Sequence, residues 1–273
     1  PNIIVFSGAF HGRTLMTMSM TSKKAYAVGM GPFPDGVYRA QFPYYYRNPE
    51  GMPQEAALDY YLNSIKDVFE QCGPADSIAA IVVEPLQGEG GFIPAPIEWV
   101  KAVRKICDEN GILLVADEVQ TGFCRTGRMF ATQYWEEAGV QPDILATAKS
   151  IAAALKTIEI MERDDLAGCS CEIGEKVSKR FNEWKEKYPV IGDVRGLGGM
   201  IGLEFVKDQK SKEPYPEFSA AVISGCAKKG LMIEGAGTYG NVIRFLAPLV
   251  MTDEQLEAGL DIYESVIKEL LEK

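Results

Sequence analysis

Short apolar runs alternate with amphipathic segments through the first half of the chain. The runs are rich in branched residues and comprise residues 1–6, 78–83, 112–116 and 144–146. Such runs are typical of strands in a parallel sheet, and the run 112–116 is predicted to be buried on both of its faces. Apolar side chains recur at helical spacing in residues 54–71 and 96–110, and a helix-compatible segment follows from 129 to 138. Strands that alternate with helices predict an α/β fold with a mostly parallel sheet.

The second half has a different order of elements. The pattern predicts a long helical region with a break near 164–170, two strands in 190–206, a helix, two short strands and a final helix with a capping signal at Thr252. The helix is placed at 216–229 and the short strands at 231–233 and 242–246. We therefore expect a large domain over residues 1–165 and a small C-terminal α/β domain over 166–273.

One segment of the first half shows neither an apolar strand run nor helical spacing of its apolar residues. Gly29 to Arg47 is rich in Gly, Pro and Tyr and is predicted as a long loop. Long loops in compact domains tend to be functional or to cover a partner surface. The loop is therefore expected at a subunit interface or at the margin of an active site.

Composition narrows the class of protein. The 273 residues are 47% hydrophobic and 24% charged, and the formal net charge of −10 argues against a nucleic-acid surface. No apolar run is long enough to span a bilayer and no signal peptide is recognised, so a cytoplasmic location is expected. The six cysteines form no CxxC pair and are expected as reduced thiols. His11 is the single histidine, which excludes a multi-histidine metal site within one subunit.

An acid and an amine follow two neighbouring strands. Asp117 ends the run at 112–116 and Lys149 follows the run at 144–146. Ligands of parallel sheets bind beyond the carboxyl ends of the strands, so both groups are expected at one crevice. A lysine can form a Schiff base with an aldehyde cofactor, and pyridoxal phosphate also needs an anion against its ring nitrogen. The alternatives are a capping aspartate and a solvated lysine, and the spacing alone leaves them open.

Several motifs resemble one enzyme family. The segment LLVADEVQTGFCRTG, followed by PDILATAKS, is similar to the cofactor segment of the class III (omega-amino acid) aminotransferases. The motifs SGAFHGRT, VVEPLQGEGGF, IGDVRGLGGMIGLEF and GTYGNVIRFLAPL match in family order and cover nearly the whole chain. The resemblance implies pyridoxal 5'-phosphate as the cofactor and the aspartate aminotransferase fold. FHGRT together with GTYGNVIR most resembles 4-aminobutyrate aminotransferases.

The resemblance also implies roles for residues around the cofactor ring. Lys149 is implied as the catalytic lysine that binds the cofactor and moves a proton. Asp117 is implied as the partner of the ring nitrogen and Gln120 as the hydrogen-bond partner of the ring hydroxyl. Phe10 is implied to stack on the ring.

Two arginines and a glutamate are implied to bind the substrates. Arg13 would hold the distal carboxylate of a donor such as 4-aminobutyrate, and Arg244 would hold the α-carboxylate of 2-oxoglutarate. Glu84 would pair with Arg244 and release it when a dicarboxylate needs the guanidinium. Small-molecule amino acids and oxo acids are thus the expected partners, and the family implies a homodimer or a higher homo-oligomer.

The chain departs from the family pattern after Lys149. Relatives carry a Gly-Gly turn and several tens of residues there, including a threonine that contacts the cofactor phosphate. In this chain Ser150 runs almost directly into a helical segment. The Ser-Gly phosphate loop expected before Pro1 is also missing. We therefore expect a partial or internally shortened chain that has lost part of the phosphate site.

These departures leave other functions open. The chain could use acetylornithine, ornithine or another omega-amine as its donor. It could also be an impaired remnant that acts only as a subunit. A Rossmann dehydrogenase is disfavoured, because no predicted strand is followed by the glycine fingerprint.

Overall fold

The chain folds into two compact units. The computed structural model describes residues 1–147 and 151–272, and the side chains in these ranges apart from those of Lys24 and residues 151–154. Unit 1 comprises Pro1–Gly90, Pro94–Gly122 and Phe130–Lys149. Unit 2 comprises Gly91–Ile93, Phe123–Met129 and Ser150–Lys273. The domain boundary expected after residue 165 stays a prediction.

A parallel sheet forms the centre of unit 1. The strands of the first half are β1 (Asn2–Phe6), β2 (Val37–Ala40), β3 (Ile78–Val83), β4 (Leu86–Gln87), β5 (Ile93–Pro94), β6 (Leu113–Asp117) and β7 (Ile144–Ala146). The sheet has the order β2-β1-β3-β6-β7, and its neighbours pair in parallel. The branched apolar runs therefore form the predicted α/β fold, and their carboxyl ends lie along one edge of the sheet.

Helices α3 (Gln54–Gln71) and α4 (Ile97–Asn110) pack against this sheet. The shorter helices of the unit are α1 (Leu15–Met20), α2 (Lys24–Ala27) and α5 (Gln133–Glu136). Helix α4 buries Trp99 completely, and the ring of Trp99 packs edge-on against Phe6 of β1 with 4.9 Å between the centroids. Helix α3 buries Ile65 on its apolar face. The helices predicted at 54–71 and 96–110 are thus confirmed.

Three expectations for unit 1 are wrong in part. The predicted loop from Gly29 to Arg47 contains β2, because Val37–Ala40 pairs with β1 along its whole length. The segment 129–138 forms only the short helix α5, and turns occupy the rest. Strand β6 is not buried on both faces: Leu114 and Ala116 are buried, whereas Leu113 on the other face is 44% exposed. The exposed face continues onto β7, where Ile144 is also exposed.

Unit 2 packs helices against an antiparallel sheet. Its elements are α6 (Ile151–Arg163), α7 (Leu166–Lys187), β8 (Ile191–Leu197), β9 (Met200–Phe205), α8 (Pro216–Lys228), β10 (Glu234–Ala236), β11 (Val242–Phe245) and α9 (Asp253–Leu271). The sheet has the order β10-β11-β9-β8. Its core includes Phe181, Trp184 and Tyr263, whose rings pack at centroid distances of 5.0 to 5.7 Å.

Most predictions for unit 2 are confirmed. The helical break falls between α6 and α7, and Thr252 caps α9 through a reciprocal bond pair with Gln255. The strand predicted at 231–233 is wrong, because the pairing with β11 begins one residue later, at Glu234 opposite Arg244. Leu231 and Ile233 instead lie partly buried against the core.

Candidate active site

Three loops of unit 1 meet at the carboxyl edge of the sheet. Strands β1, β3 and β6 are neighbours in the sheet, so the residues that follow them lie close together. Phe10 and His11 follow β1, Glu84 follows β3 directly, and Asp117 is the last residue of β6. This edge is where the sequence predicts the cofactor ring.

A histidine and an aspartate join the first and third of these loops. Nδ1 of His11 lies 2.7 Å from Oδ2 of Asp117, and the other oxygen of Asp117 accepts the backbone N–H of Val119 at 3.1 Å. The two side chains are 2% and 13% exposed. Because both carboxylate oxygens have hydrogen-bond partners, Asp117 is held in one orientation.

The sequence pattern did not assign a site role to His11, which was notable only as the single histidine. The one available signal was its position next to Phe10 in SGAFHGRT. Nε2 of His11 is buried and has no hydrogen-bond partner within the described part of the chain.

Glu84 is a buried carboxyl that ties two loops together. Oε2 accepts the backbone N–H of Phe10 at 3.0 Å, and Oε1 accepts the backbone N–H of Gly88 at 3.2 Å. Burial raises the pKa of Glu84 to about 7, although the nearby His11 and the two N–H donors act in the opposite direction. The structure thus places Glu84 where it fixes the backbone of Phe10.

Gln120 lies against the loop after β3. A Cβ atom added to Gly88 would lie 1.5 Å from Oε1 of Gln120, so a larger residue at position 88 would displace the Gln120 amide from this position. Oε1 of Gln120 is buried, and it has no hydrogen-bond partner in residues 1–147 and 151–272. A buried amide oxygen without a partner is costly unless a ligand or water completes its bonding.

Arg13 stands beside two aromatic rings. Its guanidinium carbon lies 4.4 Å from the ring centroid of Tyr26 and 5.9 Å from that of Phe10. The side chain of Arg13 is exposed, and no carboxylate of the described ranges pairs with it. Tyr26 was also missed at the level of sequence, because it lies in a segment without a recognisable motif.

Two predicted site residues, Lys149 and Arg244, are not among the described residues of unit 1. Lys149 lies outside the described residues. Arg244 belongs to β11 of unit 2, and its Nη2 donates to a carboxylate oxygen of Glu234 at 2.6 Å. The predicted pair of Glu84 with Arg244 joins residues of different units and stays a prediction.

The residues around Asp117 fit the ring of pyridoxal phosphate. They offer an oriented carboxylate for the ring nitrogen, an aromatic side chain on a neighbouring loop and a buried amide without a partner. Asp117, Phe10 and Gln120 would hold the ring in these ways. The described part of the chain contains no group of three or more potential metal-binding side chains, and none of its helices is long and apolar enough to cross a membrane.

The chain is similar to known aminotransferases along nearly its whole length. The family model described as Aminotransferase class-III matches residues 1–153 and 150–267. A "Probable 4-aminobutyrate aminotransferase" of Bacillus subtilis is 39% identical, with 97% of this chain and 69% of the relative covered. A "5-aminovalerate aminotransferase" of Pseudomonas putida is also 39% identical, with 98% and 69% covered.

A solved structure is similar over the same extent. It is an amine transaminase from an uncultivated Pseudomonas species in its PLP-bound form, 27% identical to this chain. The TM-score is 0.88, and the alignment covers 98% of this chain and 69% of that chain. The predicted fold class and cofactor are thereby confirmed.

The comparisons also locate a difference within the chain. The family model matches in two parts that meet at residues 150–153, directly after Lys149. The alignment with the Bacillus subtilis relative extends over 302 positions, which exceeds the 273 residues of this chain. Some residues of the relative therefore have no counterpart here.

Proposed function

Since this chain belongs to the class III aminotransferases, which are pyridoxal-phosphate-dependent enzymes, we propose that it transfers the amino group of 4-aminobutyrate to 2-oxoglutarate. Relatives named for 4-aminobutyrate and 5-aminovalerate support an omega-amino acid as the donor. The observation that carries the proposal is the exposed guanidinium of Arg13, which lies beside Phe10 and has no carboxylate partner within the described ranges. A donor with a terminal carboxylate supplies that partner.

The residues at the sheet edge have separate tasks in this reaction. When bound, pyridoxal phosphate supplies a protonated ring that withdraws electrons from the carbon bearing the donor's nitrogen. Asp117 would keep a proton on the ring nitrogen, and His11 would hold Asp117 in the orientation that this requires. Phe10 would confine the ring from one face, and the amide of Gln120 would bind the ring hydroxyl. Phe10 itself is held by the carboxyl of Glu84.

Lys149 is proposed as the base and acid of the reaction. Its ε-amine would hold the cofactor covalently in the absence of a donor. Once released, the amine would remove a proton from the carbon that bears the donor's nitrogen and, as the conjugate acid, would give that proton up at a different atom of the same site. This assignment follows from its place after β7, next to the strand that ends in Asp117.

The arginines divide the two substrates between them. Arg13 binds the distal carboxylate of 4-aminobutyrate, and Arg244 binds the α-carboxylate of 2-oxoglutarate. Arg244 donates to Glu234, whose side chain is 72% exposed. An exposed acidic partner is weakly held, so an incoming carboxylate can replace it.

A donor panel tests this proposal. The purified chain is incubated with pyridoxal phosphate, 2-oxoglutarate and one donor at a time, and glutamate formation is measured. The panel contains 4-aminobutyrate, 5-aminovalerate, ornithine, acetylornithine and butylamine. We expect 4-aminobutyrate to give the highest kcat/KM and Lys149→Ala to abolish the reaction. A higher kcat/KM for any other donor of the panel contradicts 4-aminobutyrate as the proposed donor.

A second candidate is a chain that associates with other subunits without turnover. It is favoured by the two-part match that breaks after Lys149, because relatives place residues there that this chain lacks. Absence of glutamate formation with every donor, in a chain with a cooperative unfolding transition, would support it.

Assembly as a homodimer and a cytoplasmic location are further proposals from the family. Light scattering of the purified chain tests the proposed homodimer.

A further inference from the structure

The ring of Tyr26 is the main contact of the Arg13 guanidinium. The guanidinium carbon lies 4.4 Å from the Tyr26 centroid, against 5.9 Å for Phe10. A cation within about 6 Å of a ring centroid is attracted by the negative face of the ring. The long side chain of Arg13 is exposed and would otherwise sample many orientations.

Tyr26 is itself fixed at its hydroxyl and at its ring. Its Oη donates to Oε2 of Glu89 at 2.8 Å. Its ring meets that of Phe10 edge-on, with 5.3 Å between the centroids and 72° between the planes. The side chain of Glu89 is only 13% exposed, so the acceptor of this hydrogen bond is also held in place.

The charges around Tyr26 favour a carboxylate ligand. Glu89 accepts from Tyr26 and lies 3.6 Å from Nζ of Lys23, so this acid is engaged with a cation other than Arg13. No acidic side chain in residues 1–147 and 151–272 lies within ion-pair distance of Arg13. Burial and the neighbouring Glu89 raise the pKa of Tyr26, which keeps its hydroxyl protonated as the donor. Nζ of Lys23 also lies over the Tyr26 ring, 5.3 Å from its centroid, but Lys23 is within ion-pair distance of Glu89. The guanidinium of Arg13 is therefore the cation that Tyr26 holds ready for a ligand.

We propose that Tyr26 is a positioning residue that orients Arg13 and thereby sets the preference of the site for donors that end in a carboxylate. This inference rests on the proposed role of Arg13 in binding the donor. Tyr26 does not touch the reacting atoms. It acts through the guanidinium, so its loss changes the binding of the carboxylate and leaves the rate of the bound donor nearly unaltered.

The test compares variants of the loaded enzyme in binding and in turnover. Binding of butyrate, a carboxylate without the amine, is measured by calorimetry. Turnover kinetics give KM and kcat with two donors, 4-aminobutyrate and butylamine, of which the second lacks the carboxylate. Tyr26→Leu is expected to raise both the Kd for butyrate and the KM with the carboxylate donor roughly 5-fold, the size of one exposed cation–π contact. The KM with butylamine stays the same.

Matched variants separate orientation from general damage. Tyr26→Phe keeps the ring beside Arg13 and is expected to restore the Kd for butyrate to within about 2-fold of the wild type. Tyr60→Leu removes a half-exposed tyrosine on α3 and leaves the Kd unchanged. If Tyr26→Leu does not fold, Tyr26→Met replaces it as the variant without a ring.

Arg13→Met distinguishes failure of this inference from failure of the proposed function. Loss of the preference for 4-aminobutyrate over butylamine in Arg13→Met, together with the effects above in Tyr26→Leu, supports both. Suppose that Arg13→Met loses this preference, but that Tyr26→Leu shows no change or changes equally for both donors. That result overturns the inference about Tyr26 and leaves the role of Arg13 in place. An unchanged preference in Arg13→Met overturns the role of Arg13 and the inference with it.

Discussion

Nδ1 of His11 and Oδ2 of Asp117 lie 2.7 Å apart, although 106 positions separate the two residues in the sequence. The contact connects the loop after β1 to the end of β6 and orients the carboxylate that is proposed to face the cofactor ring. His11 thereby supports Asp117 without needing to touch a substrate.

His11→Leu should weaken cofactor binding. The substitution removes a hydrogen bond to a charged group, which contributes about 1.5–3 kcal/mol, so the Kd for pyridoxal phosphate should rise at least roughly 10-fold. The measurement is a spectroscopic titration of the chain with the cofactor. Asp117→Asn, which removes the charge itself, serves as the stronger reference variant. An unchanged Kd in His11→Leu would show that Asp117 keeps its orientation without the histidine.

Glu84 should titrate near neutral pH. Its pKa is raised by burial to about 7, above the ordinary value of 4.5. The folded chain therefore binds this proton more tightly than the unfolded chain does. The free energy of unfolding should fall as the pH rises from about 4.5 to about 7, by on the order of 3 kcal/mol, and Glu84 should add no further pH dependence above that window.

The backbone N–H groups of Phe10 and Gly88 report this titration directly. Both donate to the carboxyl of Glu84, so their NMR chemical shifts should change with a midpoint near pH 7. Glu84→Gln should abolish both titrations, whereas Glu55→Gln on the exposed face of α3 should leave them in place. A midpoint below pH 5 in the wild type would contradict the raised pKa.

Two glycine substitutions in unit 2 should have effects of opposite sign. A Cβ at Gly174 of α7 would lie 2.0 Å from the backbone oxygen of Gly198, so the helix would have to move away from the turn between β8 and β9. Gly174→Ala should lower the free energy of unfolding by about 2–3 kcal/mol. A Cβ at Gly259 of α9 would lie 3.6 Å from the nearest atom, which belongs to the Leu231 side chain, so it fits without strain. Gly259→Ala should therefore raise the free energy of unfolding by about 0.5–1 kcal/mol.

Urea unfolding followed by circular dichroism measures both changes. The two variants add the same methyl group to a helix of the same unit, so each is a control for the other. A stable Gly174→Ala chain would mean that α7 does not approach Gly198 as closely as described.

The six cysteines should differ sharply in reactivity. Burial raises the pKa of Cys107 to about 12 and that of Cys226 to about 11, and it also raises the pKa of Cys124. These three thiols are buried, whereas Cys72 is exposed. Because the thiolate is the reactive form, a maleimide at neutral pH should label Cys72 quickly and the buried thiols only after unfolding.

Mass spectrometry of digested, labelled chain locates the modified cysteines. Cys169 and Cys171 are partly exposed and should react at intermediate rates. Cys72→Ser should remove the fastest label and leave the rest of the pattern unchanged. Rapid labelling of Cys107 in the native chain would contradict its burial on the inner face of α4.

Local patterns were sufficient for the main elements of the fold. Strands β1, β3 and β6 are short branched runs between helices with clear apolar periodicity, so the sequence predicts that they exist and that they run in parallel. Strand β2 could not be predicted in this way. It has four residues in a segment rich in glycine and proline, and its stability comes from pairing with β1 rather than from local preference.

The candidate site was predictable only in part, because local patterns do not reveal contacts between distant segments. Phe10, Glu84 and Asp117 each follow a predicted strand, so their meeting at one sheet edge follows from the parallel order. The contacts that orient these side chains do not follow from the order of the strands. Tyr26 reaches Glu89 across 63 positions, and Glu84 reaches Phe10 across 74, and neither pair has a spacing that a local pattern could reveal.

The lysine that binds the cofactor covalently can be identified directly. The chain is incubated with pyridoxal phosphate, treated with borohydride to fix any lysine adduct, digested and examined by mass spectrometry. We expect one dominant modified peptide, which carries the cofactor on Lys149 and disappears in Lys149→Ala. A cofactor fixed mainly to another lysine, or no fixed cofactor at all, would contradict this expectation.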